Sequence, residues 1–261
     1  AGWQFGVVLG PVAVGFIMII SNNNLLMPFL FLGFLGLFIG YLNYKLLKKD
    51  DSIFTSKKET SSLKFSDSRV FPSLVIATFL GISNACIVLT SSLFVNDVIL
   101  ENKDNLYFFV SLGFAIVALS GLLTQLLLVD RYTFNPKILV ITGITLMAGV
   151  FYLLSNTSEI VWFYLLLMIY GFGGGLARPG NVSILSLSVN KDEQGAASGL
   201  MGTVFPLGHL ITPFSIMPLY MMDPSFPYLL ISILGLFLIV YMFYNQKLFF
   251  NFINLEERKN V

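Results

Sequence analysis

Two ionisable side chains that could do chemistry interrupt the apolar stretch Gly171 to Pro213. Arg178 lies nine residues before Leu187, about 14 Å along a helix. Burying a bare guanidinium in lipid costs at least about 2.5 kcal/mol, so we expect Arg178 to face protein or a water-filled cavity. There it could bind an anionic group or tune a proton carrier. Alternatively, it could extend toward the membrane surface, or donate to carbonyls that Pro179 leaves free.

His209 is the only histidine and lies fourteen residues after Gly195, about 21 Å along a helix. An imidazole can exchange protons near neutral pH if water reaches it; a neutral ring bonded to a neighbouring helix is the alternative. Asn84, in another apolar segment, could line a cavity or join helices. These three residues are the candidates for a substrate or proton pathway.

The composition determines the class of protein that must position these residues. Hydrophobic residues make up 56% of the chain and charged residues 11%, against about 25% charged in soluble domains. An all-α bundle of membrane-spanning helices is therefore predicted. Eight apolar segments reach the roughly 20 residues that a span needs, namely Trp3 to Ile20, Leu25 to Leu47, Val70 to Val95, Leu106 to Val129, Ile138 to Leu154, Ile160 to Val189, Gly195 to Met221 and Phe226 to Phe250.

The residue types present argue against several other functions. The chain has one cysteine, Cys86, and one histidine, so a Cys/His metal site is not expected. No carboxylate pair accompanies His209, which argues against a membrane-embedded enzyme. No basic tract indicates nucleic acid. We therefore expect neither catalysis nor a cofactor.

Basic residues lie almost entirely on one side of the predicted bundle, which indicates its orientation. One side carries only Lys103. Thirteen others fall on the opposite side, which the positive-inside rule makes cytoplasmic: Lys45, Lys48, Lys49, Lys57, Lys58, Lys64, Arg69, Arg131, Lys137, Lys191, Lys247, Arg258 and Lys259. Both chain ends are then cytoplasmic. The polar connection 48–69 is much longer than the others, which predicts a boundary between two groups of helices.

Three motifs resemble those of a known transporter family, and two of them contain glycine in this chain. Gly6, Gly10, Pro11 and Gly15 are similar to the antiporter motif on the fifth helix of proton-coupled exporters in the major facilitator superfamily, with Val14 in place of one glycine. On a helix such glycines allow close packing, and the resemblance adds a role in coupling. A second motif, Glu193, Gly195 and Gly199, resembles the family's turn between helices ten and eleven.

Asp130 and Arg131 resemble the family's cytoplasmic loop motif, although Leu126 replaces the expected upstream glycine and the following glycine and basic pair are missing. Together the motifs place the chain as helices five to twelve of a twelve-helix transporter, and thus as a partial fold. The implied divisions are the last two helices of the first half (1–47), a cytoplasmic linker (48–69), the complete second half (70–250) and a cytoplasmic tail (251–261).

The resemblance implies a multi-pass inner-membrane protein that exports small amphipathic compounds or drugs by proton-coupled alternating access. Its partners would be the lipid bilayer, the substrate, protons and the four preceding helices. No Asp or Glu lies well inside the eight segments, so a proton-carrying acid is expected in those four helices, or else His209 replaces it. The alternatives are a permease for uptake of a metabolite or organic anion, and a scaffold without transport. The chain alone is not expected to transport.

Overall fold

A computed structural model describes residues 2–22, 24–46, 63–99, 106–246 and 249. Within them the chain forms eight α-helices, which confirms the predicted all-α class. Their bounds are α1 Gly2–Ile20, α2 Leu26–Leu46, α3 Phe71–Phe94, α4 Leu106–Thr124, α5 Pro136–Leu154, α6 Ile160–Ser188, α7 Gln194–Met222 and α8 Phe226–Tyr244.

Seven of these helices, α2 to α8, are long and apolar enough to cross a membrane, counting the described residues. α1, Gly2–Ile20, has 19 residues, which at 1.5 Å per residue is about 28 Å long, close to the roughly 30 Å of a hydrocarbon core. Its described apolar part is Leu9–Ile20, so the eighth span that the sequence predicts in α1 stays a prediction.

Several helix ends differ from the predicted ones for local reasons. α3 and α4 each continue as a wider, π-helical turn, Val95–Ile99 and Gln125–Val129. α5 begins two residues early at Pro136, where the Asn135 side chain accepts a hydrogen bond from the Lys137 backbone N–H. α8 ends at Tyr244 rather than Phe250, because Asn245 leaves the helical conformation.

Most of the predicted linker and the whole predicted tail, 251–261, lie outside the described residues. Of the basic residues used to predict orientation, this also applies to Lys48, Lys49, Lys57, Lys58, Lys103, Lys247, Arg258 and Lys259.

The closest helix pairs are α5 with α6, α3 with α7, α4 with α6, α1 with α4 and α5 with α8. Glycines bring three of these pairs, α5–α6, α3–α7 and α4–α6, into backbone contact. A Cβ on Gly143 of α5 would lie 2.5 Å from the Gly173 carbonyl oxygen of α6, and a Cβ on Gly208 of α7 would lie 2.5 Å from the Gly81 carbonyl carbon of α3. Without these glycines the helices could not approach so closely.

A buried aromatic cluster lies between α3, α5, α6 and α8. Its members are Phe94, Phe151, Phe163, Tyr170 and Tyr228, all at most 2% exposed. Tyr228 packs edge-on to Phe94 with ring centroids 4.9 Å apart, and Thr90 Oγ1 donates to the Tyr228 hydroxyl oxygen at 3.0 Å. This dense core holds one end of the bundle and leaves the faces of α3, α6 and α7 around Arg178 free to line cavities.

α2 is different from the rest because its sides are almost entirely exposed. Pro28 is its only buried residue among those described, and its contacts are mainly with α1. The bundle formed by α3 to α8 therefore carries α1 against α4, with α2 outside it.

Candidate functional site

Arg178 lies on α6, immediately before Pro179, and its side chain is exposed. Pro179 has no N–H, so the Gly175 carbonyl lacks its helical donor. The Arg178 guanidinium carbon lies 5.6 Å from the centre of the Phe205 ring on α7, within the distance at which a cation is attracted to an aromatic face. No Asp or Glu forms an ion pair with Arg178 among the described residues.

Two cavities meet at Arg178, and Asn84 of α3 and Val182 of α6 also line both. The first cavity has a volume of about 660 Å³ between α3, α6 and α7; its other lining residues are Ala77, Leu80, Asn181, Leu185, Ser186, Val189, Gln194, Ala197, Ser198, Met201, Gly202 and Phe205. Cavities of this size hold drug-sized ligands.

The second cavity, of about 520 Å³, lies mainly between α4 and α6; besides the three shared residues it is lined by Val117, Ala118, Gly121, Leu122, Gln125, Val129, Asp130, Tyr170, Gly171, Gly174, Gly175, Pro179 and Ser183. The charges of the two cavities differ. Arg178 is the one charged residue among those lining the first cavity, whereas Asp130 joins it in the second.

Polar groups on the first cavity's wall leave one acceptor unused. The Asn181 amide nitrogen donates to the Ser73 carbonyl at 3.0 Å, but its buried oxygen has no partner among the described residues. Toward the α6–α7 turn, Gln194 Nε2 donates to Ser186 Oγ at 3.3 Å. A ligand in this cavity would therefore meet the cation of Arg178, a few polar side chains and otherwise largely apolar walls.

His209 lies near this site but lines neither cavity. Its ring centre is 5.4 Å from that of Phe205, so Phe205 contacts both ionisable candidates. The His209 Nδ1 atom is buried and has no hydrogen-bond partner in the described part of the chain. Arg178 and Asn84 thus come together at the cavities, whereas His209 lies next to the Phe205 ring and lines neither cavity.

A comparison with protein-family models matches residues 1–213 to the Major Facilitator Superfamily. The match covers most of the chain and includes α3, α6 and the part of α7 that carries the site. The chain belongs to the Major Facilitator Superfamily. It is therefore a multi-pass membrane transporter, not an enzyme, and its partners are the lipid bilayer and a small-molecule substrate. A comparison with curated proteins found no match.

Within this superfamily member, the glycine motif of α1 makes one close contact. A Cβ on Gly15 would lie 3.1 Å from the Ser111 Cβ of α4. Gly6 and Gly10 have open space at that position, with nothing described within 4 Å, and Pro11 is partly buried. The α1–α4 contact therefore depends on the end of the motif nearest Gly15.

The loop motif follows the π-helical end of α4. The Asp130 backbone N–H donates to the Gln125 carbonyl at 2.9 Å, which closes that turn and brings Asp130 to the second cavity. Arg131 is exposed. The sequence indicated both residues by motif, but the position of Asp130 at the same cavity as Arg178 depends on how α4 packs against α6.

The α6–α7 turn is joined to the start of α3 by an ion-pair cluster that the sequence analysis missed. Arg69 Nη1 and Nη2 donate to the two Glu193 oxygens at 2.8 and 3.0 Å, and Arg69 also donates to Asp67. Glu193 Oε2 further accepts from the Asn190 backbone N–H at 3.0 Å. Gly195 and Gly199, next to this turn, have open space for a side chain.

The cluster shifts three pKa values. The side-chain hydrogen bonds from Arg69 hold the pKa of Asp67 and that of Glu193 below their usual ranges, and the hydrogen bonds to Glu193 and then Asp67 raise the pKa of Arg69. Sequence reasoning had no signal for this pairing, because Arg69 and Glu193 are 124 residues apart. No group of three His, Cys, Asp or Glu residues suited to a metal occurs in the described ranges.

Proposed function

We propose that the chain belongs to a proton-coupled exporter of small amphipathic compounds that works by alternating access. The observation that carries the proposal is the site at Arg178, where two cavities meet at a cation that has no acidic partner among the described residues. Charged groups in membrane segments are costly and usually mark substrate or ion pathways. Binding sites in such transporters lie near the middle of the bilayer.

We further propose that α1 and α2 are helices five and six of a twelve-helix fold and that α3 to α8 are the second half. This division is supported by the packing of α3 to α8 around shared cores, while α2 contacts little besides α1. Four additional helices would then complete the cavities and cover α2. The proposed location is the inner membrane, with 48–69 and both ends on the cytoplasmic side. The chain alone is not expected to transport.

Asn84 and Arg178 are proposed as substrate contacts, and His209 as a proton carrier. The antiporter motif, Gly6, Gly10, Pro11 and Gly15, is proposed to let α1 move against the second half. Proposed gating roles for Asp130, Arg131 and the Glu193 turn rest on the motif resemblance.

Uptake of an organic anion is the second candidate function, because Arg178 would attract an anion equally well whichever way the substrate moves. A scaffold without transport is the third interpretation. The two directions of transport differ in what a proton gradient does. A proton-coupled exporter moves substrate out while protons enter, whereas a proton symporter moves substrate and protons in the same direction.

The test is gradient-driven dye transport by the full-length protein in proteoliposomes. We expect export that follows an imposed pH gradient and stops when a protonophore collapses it. Arg178→Ala is expected to reduce transport at least about tenfold, and His209→Ala to weaken its dependence on the gradient. Lys64→Ala removes an exposed charge outside both cavities and serves as the control.

Each alternative has its own outcome in this assay. Accumulation of the substrate in the direction of proton flow would favour uptake over export as the function. Absence of any gradient-driven flux for dyes and metabolites alike, with folded protein, would favour the scaffold.

A further inference from the structure

The first cavity combines a single positive charge with long apolar walls. Arg178 is the only charged residue among those that line it, and the apolar lining residues include Leu80, Leu185, Met201 and Phe205. We propose that this cavity binds amphipathic anions, with the carboxylate, sulfonate or sulfate group at Arg178. This inference rests on the proposed function and names the substrate class of the same site.

The shape of the cavity defines where the apolar part of the ligand lies. The residues that line it on α6 and at its end run from Arg178 through Leu185 to Val189 at three- and four-residue spacing, so those within α6 form one face of the helix. Eleven residues correspond to a length of about 16 Å. An anion held at Arg178 would extend its apolar body along this face toward the α6–α7 turn.

The surroundings of Arg178 favour recognition of a planar or forked anionic group. A guanidinium presents five N–H donors and matches carboxylate geometry. Its position beside the Phe205 ring leaves these donors without a carboxylate acceptor among the described residues. Asn84 adds an amide at the same point.

The second cavity differs from the first in the charges that line it, so an anion should prefer the first. Asp130 lines it together with Arg178, so an anion there would be attracted by one group and repelled by the other. The first cavity has no carboxylate among its lining residues. The anion should therefore occupy the first cavity, and an amphipathic cation would instead favour the second.

The closing experiment measures equilibrium binding to the full-length protein in lipid nanodiscs with no ion gradient. The probes are 1-pyrenebutyrate, the neutral alcohol 1-pyrenebutanol and a pyrenebutyl trimethylammonium cation, which share one apolar body; empty nanodiscs correct for partition into lipid. We expect the carboxylate to bind at least about tenfold more tightly than the alcohol. Arg178→Gln should remove that difference, Arg178→Lys should keep part of it, and Lys64→Gln should leave it unchanged.

Two glycine variants test the location without changing any charge. Gly202 lines the first cavity and Gly174 the second, and neither has a described atom within 4 Å of an added Cβ. Gly202→Leu should fill the first cavity and weaken binding of the carboxylate and the alcohol alike. Gly174→Leu should not affect either.

Three results would overturn the proposal: equal binding of all three probes, tighter binding of the cation, or weaker binding in Gly174→Leu than in Gly202→Leu. Because no gradient is present, loss of proton coupling leaves these binding results unchanged. Conversely, gradient-driven export of cations alone would support the proposed function and contradict this inference.

Discussion

At the scale of single residues, the surroundings of Arg178 leave its guanidinium N–H donors available to a ligand. The described contact that holds it is the Phe205 ring, and a cation over an aromatic face is stabilised without consuming the N–H donors at the guanidinium edge. His209 reaches the same ring from its own position on α7. Phe205 therefore contacts both ionisable candidates, although it carries no charge itself.

Replacing Phe205 by Leu is expected to weaken binding of 1-pyrenebutyrate about threefold, because the guanidinium loses its aromatic platform. The close approach of α7 to α3 should persist, since a Cβ on Gly81 would meet only backbone atoms of Phe205. Phe205→Tyr, which keeps the ring, is the matched control. The dissociation constant in nanodiscs is the measurement, and unchanged affinity in Phe205→Leu would show that the ring does not position Arg178.

At the scale of helices, the α3–α7 crossing depends on the absence of a side chain on Gly208. An added Cβ would lie 2.5 Å from both the Gly81 carbonyl carbon and the Ile82 nitrogen. These are backbone atoms, so they cannot rotate away as a flexible side chain could. Because α3 and α7 both line the first cavity, separating them would also change its shape.

Gly208→Ala is expected to destabilise the protein by about 1 to 3 kcal/mol through overpacking. Gly149→Ala on α5 is the control, because nothing described lies within 4 Å of its added Cβ; it should be neutral or stabilising, since alanine favours helices. Thermal unfolding in detergent compares the two variants. Equal melting temperatures would mean that the α3–α7 crossing adapts without cost.

The ion pairs between the start of α3 and the α6–α7 turn predict a defined pH response. The pKa of Asp67 is lowered in the folded protein by its hydrogen bond from Arg69, so its stabilising contribution is present above the unfolded pKa, near 4, and is lost as the pH falls through the lowered folded value. The raised pKa of Arg69 affects stability only at strongly alkaline pH.

We therefore expect Asp67→Asn to lower the melting temperature by a constant amount between about pH 5 and 8. The difference from wild type should shrink below about pH 4. In an Arg69→Gln background, Asp67→Asn should have little effect at any pH. A difference that grew on acidification would contradict the assigned ion pair.

At the scale of the whole molecule, the alternating helices place the described connections on two opposite sides. Residues 130–135 and the α6–α7 turn lie on the same side as the start of α3, and the α5–α6 and α7–α8 connections lie on the other. A multi-pass transporter inserts with its basic connections toward the cytoplasm. This arrangement predicts from which side of the membrane each connection can be reached by a soluble reagent.

Single cysteines test this orientation with a membrane-impermeant maleimide. Lys64→Cys and Lys191→Cys should be labelled only after the cytoplasmic side is opened, whereas Thr157→Cys in the α5–α6 connection should be labelled in intact cells. The native Cys86 is fully buried, so it should give no background. Labelling of Lys191→Cys in intact cells would reverse the proposed orientation.

The sequence by itself determined the features that depend on local composition and helix geometry. Apolar length identified the helices, because the hydrocarbon core sets how many residues a span needs. It also identified Arg178, since a charge within such a segment is conspicuous and costly. The family was predicted from the order of three motifs, and the match over residues 1–213 confirmed it.

Only the tertiary structure decided which helix faces meet. The sequence did not pair Arg178 with Phe205, place His209 next to that ring, or join Arg69 to Glu193. It also gave Gly6, Gly10 and Gly15 equal weight, although Gly15 makes the close contact with α4 among the described residues. The physical reason is that lipid requires an apolar surface on every span, so apolar sequence alone does not show which helices pack together. Helix pairing depends instead on where two backbones can approach closely, and the two segments can be far apart in the chain.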